Sequence, residues 1–163
     1  MLSTIKARLY LATGLFVLIA AVQVGMLWRQ AASTVANDQR IVEVLEPTQA
    51  ALHQLEVSVI QIQQWFTDVS ATRGLDGLDD GPAKAAENYA TARELLDKLK
   101  TLHPDWQASL QKVGGNLDSY YHAGEKLSQA YVDGGPQAGN PMMVKFDGTA
   151  ERIAGDIRQL QDK

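Results

Sequence analysis

The chain has 163 residues, with 15 basic and 19 acidic side chains for a net charge of −4, and it contains no cysteine. The acidic balance argues against nucleic acid or an anionic membrane surface as a binding partner. The lack of thiols excludes disulfides, zinc–thiolate and iron–sulfur sites, covalently attached haem and cysteine nucleophiles.

From Leu9 to Trp28 there is no charged residue. A helix of about 20 residues, rising about 1.5 Å per residue, spans a bilayer core of roughly 30 Å. Tyr10 and Trp28 stand at the two ends of this stretch, where amphipathic rings favour the headgroup region. Lys6 and Arg8 precede it, so the positive-inside rule keeps residues 1–8 in the cytoplasm, makes 9–28 an anchor and exports residues 29–163. A cleaved signal peptide is the competing reading, but its apolar region is shorter, about 7–15 residues, and ends in a clear small-x-small site. Without Lys6 and Arg8 the exported part keeps 13 basic against 19 acidic residues, a charge of about −6.

Beyond the anchor, breakers cluster at residues 74–82, at His103-Pro104-Asp105, and from Gly134-Gly135-Pro136 to Gly139-Asn140-Pro141. Four segments between them carry apolar residues three and four apart. The first has Ile41, Leu45, Leu52, Leu55, Val59, Ile62, Phe66 and Val69, interrupted at Thr48. The second has Ala85, Ala92, Leu95, Leu99 and Leu102. The third has Trp106, Leu110, Val113, Leu117, Tyr120, Leu127 and Tyr131, with Asp105 placed to cap it. The fourth has Met143, Phe146, Ala150, Ile153, Ile157 and Leu160. This spacing is the seam of a helical bundle. The expected fold is all-α: a transmembrane helix followed by an antiparallel, up-down-up-down four-helix bundle.

Its first helix is long, from about Arg29 to Arg73, or roughly 65 Å, against about 33 Å for the fourth. That mismatch predicts a natural protein continuing past Lys163 to a second span. Pro47 falls inside the first helix and predicts a kink. Antiparallel order brings the first and third breaker loops together at the pole far from the membrane.

The segments QIQQWFTDVSATRGLDGLDDG (Gln61 to Gly81) and SYYHAGEKLSQAYVDGGPQAGNPMMVKFD (Ser119 to Asp147) resemble the periplasmic sensor region of bacterial methyl-accepting chemotaxis transducers. The resemblance covers most of the chain. It implies a homodimeric receptor of the bacterial inner membrane with a periplasmic sensor domain, a second span and a cytoplasmic signalling hairpin. Similar modules also front histidine kinases and diguanylate cyclases. A ligand-free, membrane-tethered scaffold bundle is the reading from another class. The stimulus is expected to be a small molecule, taken directly or through a periplasmic binding protein.

Candidate ligand-binding residues gather near the distal pole. Arg73 continues the seam of the first helix, so its guanidinium is expected to point inward, where it suits a carboxylate or oxyanion. Alternatively Asp76, Asp79 or Asp80 neutralises it, or it emerges into water at the helix end. Gln64, Trp65 and Asp68 lie on the same helix, where family sensors pack against a twin and place ligands at that border. Asn88, Tyr120 and Tyr131 project polar tips along seams, and such tips either satisfy one another or line a pocket. Gly124 shares the seam of Tyr120, either admitting a close neighbour or leaving a cavity. Asn140 closes the last breaker loop, at the start of the fourth helix, as an ordinary turn or an anion cradle. His53, His103 and His122 have no metal-ligand spacing, so neither metal nor other cofactor is expected. No hydrolase, phosphate-loop or zinc-protease motif is present, so no enzymatic activity is expected.

Overall fold

The structure, a computed structural model, describes the backbone of residues 2–162 other than Asp76, and the side chains of these except at residues 2–4, 12, 32 and 36–38. The described residues are helical with no strand, as the spacing predicts. They fall into two compact units, Met1–Leu45 and Glu46–Lys163.

The first unit is helix α1 (Leu2–Arg40) and a π turn at Ile41–Leu45. Within α1, Ile5–Val35 is long and apolar enough to cross a membrane, and none of its most apolar stretch is buried by the protein. Leu11, Phe16, Leu18 and Trp28 are all more than 60% exposed. An amphipathic core helix would hide such a face, whereas α1 has no polar face to turn outward. The π turn sits just ahead of Pro47. Proline has no N–H to give the carbonyl four residues back, and its ring presses on that carbonyl. A wider turn over residues 41–45 accommodates both. Ile41 and Leu45, assigned to the first seam, are exposed here.

The second unit holds α2 (Glu46–Thr72), α3 (Gly81–Leu102), a 3-10 turn at Pro104–Trp106, and a helical stretch Gln107–Gln161. That last stretch is two helices, because Gly135 has φ 61° and ψ −155°. We label them α4 (107–134) and α5 (136–161). The third breaker cluster was expected to be a loop as far as Pro141, with the fourth helix starting near Met143. Only Gly135 leaves the helix. Pro136 opens α5, where a missing N–H costs nothing, and Gly139 to Pro141 are already inside it. Asn140 is therefore in the second turn of α5 and not at the helix start where it was expected.

Helix ends follow local chemistry. Helix α2 stops where Arg73 (φ 55°) and Gly74 (φ 65°) enter the left-handed region, with Arg73 N–H bonded to Val69 O at 2.8 Å. Helix α3 stops at His103, which precedes Pro104 and is extended at φ −133° and ψ 77°. Asp105 lies in the 3-10 turn, and α4 begins after Trp106 with no side-chain cap, so the expected Asp105 cap is not formed.

Opposed ends meet between successive helices. The start of α3 at Gly81 lies on Val69 near the end of α2, and His103 at its other end bonds Thr48 near the start of α2 at 2.7 Å. Thr48 thus interrupts the apolar seam because it is buried as a polar partner. Arg93 and Tyr89 of α3 meet Asp118 of α4 at 2.9 and 2.8 Å. Lys112 and Asn116 of α4 meet Asp156 of α5 at 2.7 and 2.8 Å. Gln63 of α2 meets Asp147 of α5 at 2.9 Å.

The core consists mostly of seam residues from Leu52 onward. Leu52, Leu55, Val59, Ile62, Phe66, Leu110, Leu117, Tyr120, Phe146, Ile153 and Ile157 are 3% exposed or less. On α3 it is Leu96 that is buried, while Leu95, the expected seam residue, packs from the side.

Candidate functional site

The two glycine-rich connections do meet. A Cβ added to Gly135 would lie 3.4 Å from the Arg73 guanidinium carbon, and one added to Gly74 would lie 3.3 Å from Val132. The Arg73 side chain therefore crosses over the turn between α4 and α5. It is exposed, not inward: its positive φ takes it off the α2 helix, so the seam register ends at Val69. Asp79 and Asp80 make no ion pair with it, and Asp76 lies outside the described residues.

Below this turn the aromatic residues close the interior. The Phe66 ring occupies the space that a Gly124 side chain would need. It meets Phe146 edge-on at 6.1 Å and Tyr121 at 5.5 Å, while Tyr120 stacks on Phe146 at 4.6 Å. Gly124 thus serves close packing and leaves no cavity. Tyr131 is buried and gives its hydroxyl proton to Asn140 Oδ1 at 2.7 Å, and its ring fills the space beside Gly139. This hydrogen bond clasps α4 to α5 across the Gly135 turn.

Tyr120 is different. Its side chain is fully buried and its hydroxyl has no hydrogen-bond partner among the described residues. Burial, and then the nearby Asp147 charge, push its ionisation far above the usual phenol value of 10.0. Burial likewise raises Tyr89, which donates to Asp118, and Tyr121, which faces Glu125.

The remaining candidates do not converge. Gln64 is exposed and accepts from Gln61 at 3.3 Å, Trp65 is half-buried and packs against the core, and Asp68 is exposed. Asn88 gives its amide to Lys84 O at 2.8 Å within its own helix. Of the eight candidates, Tyr131 and Asn140 are joined by a hydrogen bond, with Arg73 crossing the turn beside them. His103 stacks on Trp106 at 3.9 Å, His122 pairs with Glu125 at 2.8 Å, and His53 is exposed.

A separate hollow is lined by none of the eight candidates. A solvent-open cleft of about 1020 Å³ runs between α4 and α5. From α4 it is lined by Lys112, Asn116, Ser119, Ala123 and Lys126, and from α5 by Met142, Lys145, Thr149, Arg152 and Asp156. Both sets step by three and four, so each is one stripe of a helix. These stripes were legible in the sequence, but they are polar, and a search along apolar seams passes over them. A smaller hollow of about 330 Å³ lies between α2 and α5, where Glu56, Asp147 and Glu151 contribute carboxylates to the lining. Helix α5 thus turns positive charge toward α4 and negative charge toward α2.

Comparison with known proteins adds no identification: no family model matches the chain, and no curated protein or solved structure is significantly similar to it.

Proposed function

We propose that this chain is the anchor and extracytoplasmic sensing module of a dimeric transmembrane receptor of the chemotaxis-transducer type. In this reading α1 crosses the bacterial inner membrane with its N-terminus in the cytoplasm. Helices α2 to α5 form an up-down-up-down four-helix bundle in the periplasm, paired with a twin through α2. The observation that carries it is the combination of an uncovered apolar helix with a separate helical unit whose last helix lines a cleft of ligand size. The opposed contacts between successive helices support the bundle. The quoted segments around Gln61 to Gly81 and Ser119 to Asp147 support the receptor class.

The mechanism uses α5 as the moving part. A ligand that binds two packings of α5 unequally shifts their populations, and a differential of a few kcal/mol is ample. Displacements of about 1–2 Å between packed helices are the ordinary scale of such switching.

Two measurements on the whole chain in membranes test the reading. Because the chain lacks cysteine, Gln64→Cys gives a unique thiol; oxidation is expected to yield a disulfide-linked dimer. Joined to the kinase-controlling half of a chemoreceptor, the chain is expected to confer a stimulus-dependent kinase output. A chain that stays monomeric with thiols placed along all of α2, and whose fusion gives a constant output, would overturn it.

A further inference from the structure

The sensor reading leaves the stimulus unnamed, and the cleft between α4 and α5 narrows it. On that reading, we propose that this cleft is the stimulus site and that it takes a small multivalent oxyanion, a molecule carrying at least two carboxylate or phosphate groups.

Charge is the first argument. In a chain of net charge −4, four cations, Lys112, Lys126, Lys145 and Arg152, line one cleft. The one carboxylate in its wall, Asp156, is taken by Lys112 at 2.7 Å and by Asn116 at 2.8 Å. His122, also in the lining, pairs with Glu125 at 2.8 Å. Arg152 has a hydroxyl partner, Thr149 at 2.9 Å, and no ion-pair carboxylate among the described residues. Lys126 and Lys145 have no ion-pair partner among the described residues. Three cations thus face a concave surface without counter-charge, an arrangement that concentrates anions from solution.

Placement is the second. The Lys112–Asp156 bond and the Tyr120–Phe146 stack set the register between the two helices. In that register Lys126 and Lys145 belong to the end nearer Gly135. Arg152 lies seven residues further along α5, about 10 Å by helical rise. Two positive levels separated by that length match a ligand charged at both ends better than a single-site anion. A guanidinium fork also reads carboxylate and phosphate planes in two-point fashion. The volume, about 1020 Å³, is at the upper end of small-ligand clefts, roughly 300–1,000 Å³. A ligand held from both walls ties α5 to α4, the coupling that the sensor mechanism requires.

Calorimetric titration of the whole chain in detergent micelles with citrate, pyrophosphate, inorganic phosphate and acetate tests this. Citrate or pyrophosphate is expected to bind once per chain and at least about tenfold more tightly than acetate. The preference between those two identifies carboxylate or phosphate as the chemistry read. Lys145→Gln and Arg152→Gln, both on exposed side chains, are each expected to weaken binding by about tenfold or more. Arg73→Gln is expected to leave it unchanged. No heat with any of the four, or binding that survives Lys145→Gln and Arg152→Gln together, would overturn the assignment. The fusion to a kinase-controlling half separates the two claims. Binding without a kinase response removes the sensor reading and keeps the site. A kinase response unchanged in the Lys145→Gln, Arg152→Gln double variant does the reverse.

Discussion

Gly124 and Phe66 compete for one volume. The ring sits where a Gly124 Cβ would go, with Phe66 Cγ only 2.8 Å from that position. Gly124→Ala is therefore expected to lower stability by about 1–3 kcal/mol, the usual cost of overpacking a tight core. Gly115→Ala, on the same helix with nothing within 4 Å of the added methyl, is expected to raise stability by about 0.5–1 kcal/mol. Urea midpoints of the two variants measure both effects. Tyr120 gives a pH dependence with a definite sign. Its folded-state ionisation lies above the unfolded value of 10.0, so its contribution is complete below pH 10 and is lost as the pH rises further. Above that point the unfolded chain releases a proton that the folded chain keeps, and stability falls by about 1.4 kcal/mol per pH unit from this residue. Tyr120→Phe is expected to flatten that slope in alkaline denaturation without lowering stability at pH 7, because the lost hydroxyl had no partner. The inward position of Tyr120 was legible from spacing alone. The outward position of Arg73 was not, because a left-handed residue ends the register that the spacing assumes.

Among the elements, the turn between α4 and α5 departs furthest from expectation. Its Gly, Asn and Pro content reads as a loop of eight residues, yet Gly135 makes the whole reversal, and Pro136 and Pro141 are absorbed into α5. The energetic reason is that Tyr131 and Asn140 hydrogen-bond across it while Gly139 admits the Tyr131 ring. Tertiary contacts of this kind outweigh the local breaker signal. The Gly135 conformation, φ 61° with ψ −155°, belongs to a region that residues with a Cβ avoid, at a cost of about 1–3 kcal/mol. Gly135→Ala also pushes a methyl toward the Arg73 guanidinium, and is expected to lower the thermal midpoint by several degrees. Gly148→Ala, further along α5 with nothing within 4 Å of its added methyl, is the control. The apolar seams of α2, α4 and α5 were legible nearly residue by residue because a 3-4 period maps onto one helix face. On α3 the short run of alanines left the phase loose by one position, which is why Leu96 replaces Leu95.

At the scale of the whole molecule, the uncharged run from Leu9 to Trp28 lies within α1, but α1 continues to Arg40 and the compact units divide after Leu45, beyond the expected boundary at Arg29. Among the candidate site residues, Asn88, Tyr120 and Tyr131 follow apolar seams, and there Asn88 hydrogen-bonds to Lys84 O and Tyr131 to Asn140. The cations of the α4–α5 cleft lie on a different face and become neighbours only when two helices pack. For α1, one charge at its middle is decisive: Leu18→Arg adds about 2.5–3.5 kcal/mol to membrane insertion. In a membrane-insertion assay the variant is expected to lose most of the inserted fraction, and unchanged insertion would count against a spanning α1.

The single-residue reversal at Gly135 also bears on how this chain can change length over evolutionary time. One residue inserted there would rotate α5 by about 100° about its axis, taking Phe146, Ile153 and Ile157 out of the core and Lys145 and Arg152 out of the cleft. In the connection from α2 to α3, by contrast, residues 77–80 are exposed, so added residues there displace no core side chain. Insertions and deletions among descendants of this sequence should therefore collect before Gly81 and spare Gly135, leaving one connection free to lengthen and the other frozen.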